Sequence, residues 1–273
     1  MTLLPAALLG IVQGLTEFLP VSSSAHLILA RAFFGWDPGA AFGKAFDVAC
    51  HVGTLLAVLL FFRSDIARMV VAVPDALRGR PGPDARRIRL IAAGTVPIVI
   101  VGGLWSDAVD AIRTPPVAAV ALLAGAVLLL VIERIGRRGG GEETLTVAGA
   151  VIIGVAQSIA LVPGVSRSGI TISAGMFAGF KREEAATFAF LLSAPIIAAA
   201  GGKQVFDLLR GEDAAASAGW DVYIVGLVTA AVVGYGTVAF LLRYLRTNTL
   251  YPFVAYRLVL GLLVLGLVAA GVV

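Results

Sequence analysis

Long apolar stretches alternate with short polar loops along the chain. Six of the stretches are uninterrupted and have about 20 residues, the length that an α-helix needs to cross a hydrocarbon core of ~30 Å. We therefore predict transmembrane helices at residues 44–62, 90–107, 116–133, 184–202, 221–242 and 250–271.

Two further apolar stretches are interrupted near their centres. Residues 3–35 contain Pro20 and a run of serines, and residues 146–180 contain Pro163-Gly164. Each half has ~15 residues, or about 22 Å of helix, which is too short to cross the core. The pattern predicts two re-entrant hairpins, each made of a helix, a break and a second helix.

The positions of the basic residues agree with this count of helices. If both hairpins return to the side that they enter, the loops 63–89, 134–145, 181–183 and 243–249 share one side and hold most of the Lys and Arg residues. The positive-inside rule then makes this side cytoplasmic and places both termini outside.

The two halves of the chain resemble each other. GIVQ at 10–13 recurs as GVAQ at 154–157, and a proline follows each, with Ser23 or Ser166 three residues after it. Three spans in each half is an odd number, so the repeats must be inverted in the membrane. The predicted fold class is an all-α polytopic membrane protein with six transmembrane helices and two re-entrant helix-break-helix hairpins in inverted repeats.

Composition supports a membrane protein and excludes an ordinary cytosolic enzyme. The chain is 59% hydrophobic and 14% charged, with a mean hydropathy of +0.96, whereas soluble domains are about half apolar and a quarter charged. The net charge of +4 resides mainly in short loops, so no nucleic-acid partner is expected. We predict a single integral membrane domain over residues 1–273, with repeats at approximately 1–135 and 145–273.

Polar and ionisable residues inside the first hairpin are candidates for function. Burial of a charged side chain at the bilayer centre costs ~2.5–3.5 kcal/mol, so such residues are rarely kept without a role. Gln13 and Glu17 are four residues apart and share a helix face. After the break, serines open the second half-helix and a histidine follows one turn later: Ser22, Ser23, Ser24 and His26.

The second hairpin carries a similar set of residues. Its second half-helix opens with Ser166, Arg167 and Ser168, and Thr171 follows one turn later. Free backbone N–H groups and the helix dipole make each helix N-terminus a site for anions. Because the hairpins enter from opposite faces, their breaks can meet and form one phosphate site, in which Arg167 binds phosphate bidentately.

Other polar residues allow two interpretations each. The serines also suit simple N-caps. Asp47 and His51, four residues apart, either line the same cavity or lie near its outer end. Arg257 either neutralises a buried carboxylate or extends toward the inner surface.

Two motifs make the chain similar to the undecaprenyl-diphosphate phosphatase family of the bacitracin-resistance type. The first is a Glu-or-Gln, three residues, then Glu before a proline and serines, here QGLTEFLPVSSSAH with Gln13 and Glu17. The second is PGxSRS followed by Thr, here PGVSRSGIT. The resemblance extends along essentially the whole chain. Gln13 replaces the more frequent glutamate, and Ala25 stands where glycine is usual.

The resemblance implies a membrane hydrolase that depends on a divalent cation, Mg²⁺ or Ca²⁺. It would remove the terminal phosphate of undecaprenyl diphosphate at the outer face of the bacterial plasma membrane, which recycles the lipid carrier for the cell wall and confers bacitracin resistance. Glu17, Ser23, His26 and Arg167 match the central residues of the family. Glu17 and Gln13 are the candidate metal ligands, and phosphate would contact Ser22, Ser24, Ser166, Ser168 and Thr171.

Several points stay open from the sequence. The nucleophile is Ser23, His26 or a water molecule activated by one of them. Broken helices that meet at mid-depth are also found in secondary transporters, so transport of a phosphorylated polyprenyl lipid or anion is the alternative function. Partners are the polyprenyl diphosphate and membrane lipid, and a homodimer is compatible with this plan.

Overall fold

The computed structural model describes residues 3–36, 42–136, 139–209 and 219–271. Within these ranges it describes the backbone but not the side chains of residues 44, 106, 107, 110, 204, 205 and 207–209. Three of the basic residues that bear on the predicted orientation lie outside the described residues: Arg137, Arg138 and Arg210.

The described chain folds into helices joined by short connections. The helices are α1 Leu3–Thr16, α2 Ser23–Phe34, α3 Lys44–Phe61, α4 Arg63–Leu77, α5 Pro83–Ala111, α6 Pro115–Ile135, α7 Val147–Ile159, α8 Arg167–Phe177, α9 Arg182–Leu209, α10 Trp220–Leu245 and α11 Tyr251–Ala269.

Five of these helices are long and apolar enough to cross a membrane, and α3 with α4 makes a sixth span if this bent pair is counted as one. This confirms an all-α polytopic membrane protein. Large apolar side chains remain exposed along the spans, for example Val120, Val232, Val259 and Leu262. Such exposed surface suits contact with lipid.

Residues 63–89 were expected to form a loop, and this expectation was wrong. α4 occupies the first half of this segment and turns by 84° from the preceding helix. Val70, Val71 and Leu77 are exposed on it, while Arg68 pairs with Asp65. An amphipathic helix at such an angle to a span is typical of the membrane interface. The sequence does not predict α4 because no long apolar run marks this helix.

The interrupted stretches form pairs of short helices, as predicted. α1 and α2 have 14 and 12 residues, and α7 and α8 have 13 and 11. At 1.5 Å per residue each is shorter than the ~30 Å hydrocarbon core. Ser22 and Ser166 are the N-caps of α2 and α8, and their side chains accept hydrogen bonds from the N–H groups of Ala25 and Gly169.

The two breaks have nearly the same geometry. Ser22 has φ 76° and ψ 97°, and Ser166 has φ 75° and ψ 107°. Each hydroxyl lies close to that of the serine two residues later, at 3.2 Å from Ser24 and 3.1 Å from Ser168. Positive φ is strained for serine, and such strain is found mainly at functional sites.

Each first half-helix packs against a span from the other half of the chain. α1 contacts α10, and α7 contacts α5. Glycines allow both close crossings, since Gly10 faces the backbone of Gly226 and Gly154 faces the backbone of Gly94. Small residues let helix backbones approach in this way. This reciprocal packing is expected of inverted repeats, whose boundaries stay a prediction.

The crossing of α7 and α5 predicts that Gly154→Ala destabilises the protein. The added Cβ would lie 3.0 Å from the Cα of Gly94 and still closer to its carbonyl group, so two backbones must separate, at a cost of ~1–3 kcal/mol. We expect a lower melting temperature in detergent. Gly236→Ala is the matched control, because a Cβ there meets no atom within 4 Å. Equal melting temperatures for the two variants would contradict the crossing.

Candidate active site

The two breaks lie against each other in the described structure. The hydroxyl of Ser168 donates to the Leu19 carbonyl at 2.9 Å, and the backbone N–H of Gly164 donates to the Ser24 hydroxyl at 3.4 Å. The tips of the hairpins therefore meet, as the sequence predicted.

Arg257 of α11 holds this junction together. Its side chain is fully buried and donates to Pro20 of the first break at 3.2 Å and to Gly164 and Val165 of the second at 3.0 Å each. It also donates to the carbonyl groups of Ala121 and Leu122 in α6. Neither sequence-based interpretation of Arg257 anticipated a guanidinium whose hydrogen-bond partners, among the described residues, are all carbonyl groups.

Glu17 is the centre of the polar network at the junction. One carboxylate oxygen, Oε1, accepts from Arg167 of the opposite break. The other, Oε2, accepts from the Ser23 hydroxyl at 2.6 Å and from the Gln13 amide at 3.0 Å. Glu17 thus contacts two other predicted site residues, Ser23 of the first break and Arg167 of the second, and Gln13 donates to the same carboxylate.

A cavity of about 380 Å³ opens beside this network. Pockets of this size accommodate a small ligand or part of a larger one. Its polar wall comes from both breaks, from α3 and from the connection between α5 and α6, and its remaining wall is largely apolar. The polar lining residues are Glu17, Ser22, Ser23, Ser24, His51, Arg113, Ser166 and Arg167.

Four predicted residues lie outside this cavity lining, and one of them is Gln13, which donates to Glu17. The hydroxyl of Thr171 donates to the Arg167 carbonyl within its own helix, and that of Ser168 serves the contact with Leu19. These two side chains instead border a small void of ~10 Å³ behind Glu17 and Arg167. In this structure both are therefore arranged to support the second break rather than to contact a ligand in the cavity.

His26 is the fourth residue outside the lining, and both of its ring nitrogens are engaged. Nδ1 lies 2.7 Å from the Ser22 carbonyl and Nε2 lies 2.6 Å from the Tyr256 hydroxyl. A carbonyl only accepts, so Nδ1 carries a proton, and in the neutral ring Nε2 accepts from the tyrosine. The imidazole joins α2 to α11 and is not among the residues that line the cavity.

His51 takes a place that the sequence left undecided. It lines the cavity, and its Nδ1 lies 2.9 Å from the Gln13 amide nitrogen and 3.5 Å from the Glu17 carboxylate. Asp47, four residues earlier, does not line the cavity; it pairs with Arg31 and with Arg113, which does line it. Of the two residues, only His51 therefore lines the cavity directly in the described structure.

The residues at the cavity do not fit a metal ion held by the protein alone. In the described part of the chain, no three His, Cys, Asp or Glu side chains lie together as metal ligands. Both oxygens of Glu17 already accept from protein donors. The Oε1 atom of Gln13 is buried and has no hydrogen-bond partner among the described residues. The assignment of Glu17 and Gln13 as metal ligands stays a prediction.

Comparisons with known proteins identify relatives that are similar over nearly the whole chain. The undecaprenyl-diphosphatase of Rubrobacter xylanophilus is 48% identical over 269 residues, which cover 97% of this chain and 98% of the relative. The enzyme of the same name from Thioalkalivibrio sulfidiphilus is 43% identical, with 96% and 97% covered. That of Chlorobium chlorochromatii is 44% identical, with 100% and 99% covered. The family model described as bacitracin resistance protein BacA matches residues 6–263. With its two broken hairpins and near full-length similarity, the chain belongs to the bacitracin resistance protein BacA family.

Proposed function

We propose that the chain hydrolyses undecaprenyl diphosphate to undecaprenyl phosphate and inorganic phosphate. The family and the printed activity of its relatives support this reaction. The observation that carries it in the structure is the contact of Arg167, Glu17 and Ser23 across the two breaks. In the cell the reaction recycles the lipid carrier for cell-wall synthesis and accounts for bacitracin resistance.

We assign the nucleophile to Ser23, because its hydroxyl is 2.6 Å from a carboxylate oxygen and lines the cavity. Glu17 takes the hydroxyl proton as Oγ attacks the terminal phosphorus. The bond from that phosphorus to the bridging oxygen breaks, and undecaprenyl phosphate leaves with the bonding electrons. A water molecule then attacks the phosphoserine, and Glu17 returns its proton to the departing Oγ, which restores Ser23; inorganic phosphate leaves with the oxygen and the protons of the water.

Arg167 and the helix N-termini stabilise the transferring phosphoryl group. The transition state for phosphoryl transfer is loose, and its charge is spread over the oxygens, so catalysis depends on positioning and on charge stabilisation. Arg167 lies at the start of α8 beside Glu17. The serines at the N-termini of α2 and α8 line the same space and suit the non-bridging oxygens.

A multi-pass membrane protein of this kind belongs in the bacterial plasma membrane, with the cavity open to the outer face. The support is the excess of arginine in the loops that the positive-inside rule makes cytoplasmic. The polyprenyl chain then enters from the lipid between helices, and phosphate leaves to water. The apolar residues Ile98, Leu161 and Ile196 in the cavity wall suit contact with the first prenyl units.

The divalent cation enters this proposal with the substrate. Among the described residues that line the cavity, Glu17 carries the one carboxylate. We therefore propose that Mg²⁺ or Ca²⁺ would be held mainly by the diphosphate of the substrate, as Mg²⁺ often is in phosphate-binding sites. A chelator should therefore reduce turnover, while calorimetry should detect no saturable Mg²⁺ binding by the substrate-free protein. Saturable binding that Glu17→Gln removes would contradict this and favour the Glu17 and Gln13 ligands.

The experiment for the function is release of phosphate from a C55 polyprenyl diphosphate by protein purified in detergent. Hydrolysis needs no sealed compartment, whereas transport does, so turnover in micelles supports the hydrolase. A preparation that is folded and monodisperse but releases no phosphate with added Mg²⁺ or Ca²⁺ would overturn it. Nothing in the fold or the relatives favours the transporter alternative. Size in the same detergent tests whether the chain forms a homodimer, with which the sequence is compatible.

A further inference from the structure

His51 presents one ring nitrogen to the wall of the cavity and the other edge of its ring to the open space. Nδ1 is 2.9 Å from the amide nitrogen of Gln13, and a third of the side chain is exposed, at 32%. No hydrogen bond from Nε2 to another residue is present in the described part of the structure. The ring therefore has a free edge beside Ser23 and Arg167, which line the same cavity.

Gln13 determines which nitrogen of His51 carries the proton. The amide nitrogen of Gln13 has two hydrogens, of which one points to Glu17 Oε2 at 3.0 Å and the other to His51 Nδ1. Reversal of the amide would place its oxygen against the carboxylate, with two acceptors in contact, so this orientation is the favourable one. Nδ1 must then accept, and the neutral ring carries its proton on Nε2.

We propose that His51 is a further catalytic residue, which donates from Nε2–H to the diphosphate oxygen that gains charge as the anhydride bond breaks, and that Gln13 positions it. This inference rests on the proposed function. The Nε2–H donor is pre-oriented because the ring is held at Nδ1. Donors that are pre-oriented toward charge that develops in the transition state are the most effective at stabilising it. Gln13 thus fixes both the nucleophile's base and this donor.

The proposal predicts opposite tautomers for the two histidines of the chain. His26 donates from Nδ1 to a carbonyl, whereas His51 accepts at Nδ1 and keeps its proton on Nε2. Nitrogen NMR of protein labelled with ¹⁵N-histidine separates these forms, at about pH 8.5, two units above the usual imidazole pKa of ~6.5. His26→Asn assigns the signals, since the chain has only two histidines. A proton on Nδ1 of His51 would overturn the proposal.

Activity measurements test the donor itself. His51→Ala should lower kcat about 10²-fold, the effect of losing one such donor, with a much smaller change in KM. His51→Gln places an amide N–H near the former Nε2 and should recover most of kcat. His51→Asn reaches only the former Nδ1 position and should not. A variant that is merely less well folded would not show this difference between glutamine and asparagine.

The outcomes separate this inference from the proposed function. If the wild type releases no phosphate from the C55 diphosphate, the function itself fails. If the wild type is active and His51→Ala and His51→Asn retain its kcat, the function stands and the role of His51 is wrong. Gln13→Glu adds a direct test by NMR, because a carboxylate at this position accepts and should move the His51 proton to Nδ1.

Discussion

Replacement of Arg167 by alanine is expected to lower kcat by about 10²- to 10³-fold, the usual effect of removing a main charge donor to the transition state. The change removes the cation that the second break contributes to the cavity and leaves Glu17 without its ion pair. Arg167→Lys keeps the charge but not the planar fork, so its kcat should lie between those of the wild type and of Arg167→Ala. Phosphate release by purified, monodisperse protein measures the effect.

Arg246→Ala is the control for this experiment. Arg246 is a surface arginine on the basic loop after α10, where it pairs with Glu183, and it does not line the active-site cavity. Its loss should leave kcat within a factor of two or so, because exposed ion pairs contribute little. If Arg167→Ala were as active as this control, the assigned phosphate site would be wrong.

Arg257→Met is expected to have the largest effect on stability. The guanidinium is completely buried, and its loss leaves carbonyl groups of both breaks and of α6 without their donor. A buried acceptor left unsatisfied typically costs ~1–3 kcal/mol, and Arg257 serves acceptors in both breaks, so we expect a fall of roughly 10 °C in melting temperature. Because the breaks would also lose their common donor, activity should fall even below that temperature.

Arg243→Ala is the matched control for stability, since Arg243 is exposed near the end of α10. Surface substitutions of this kind change stability by less than ~0.5 kcal/mol. Thermal unfolding followed in one detergent compares the two variants. Similar melting temperatures for both would show that Arg257 does not hold the hairpins together.

Much of the architecture could be predicted from local sequence. Pro20 and Pro163-Gly164 interrupt apolar stretches whose halves cannot cross the membrane, and the structure breaks the helices there. The serines that follow cap the next helices, as their side chains suit. The proximity of Glu17, Ser23 and Arg167 could be predicted because hairpins that enter from opposite faces meet at mid-depth. These inferences use spacing and length, which the sequence shows directly.

The remaining features depend on contacts between residues that are distant in sequence. His26 shares a helix face with Ser23, but its ring lies against Tyr256, 230 residues later in the chain, and not at the cavity. His51 reaches Gln13, 38 residues earlier in the chain. The five carbonyl groups around Arg257 belong to three segments. No periodicity within one helix indicates which partner its polar residues will meet.

Detection of the covalent intermediate tests the central claim that both breaks form one site for phosphoryl transfer. Detergent-purified protein would be mixed with C55 diphosphate carrying a labelled terminal phosphate, quenched within a turnover and analysed by peptide mass spectrometry. We predict a phosphoryl group on Ser23 of the first break, formed by the His26→Asn variant as well, and no labelled Ser23 in Arg167→Ala of the second break. Phosphoryl transfer to His26, or undiminished labelling of Ser23 without Arg167, would contradict the account.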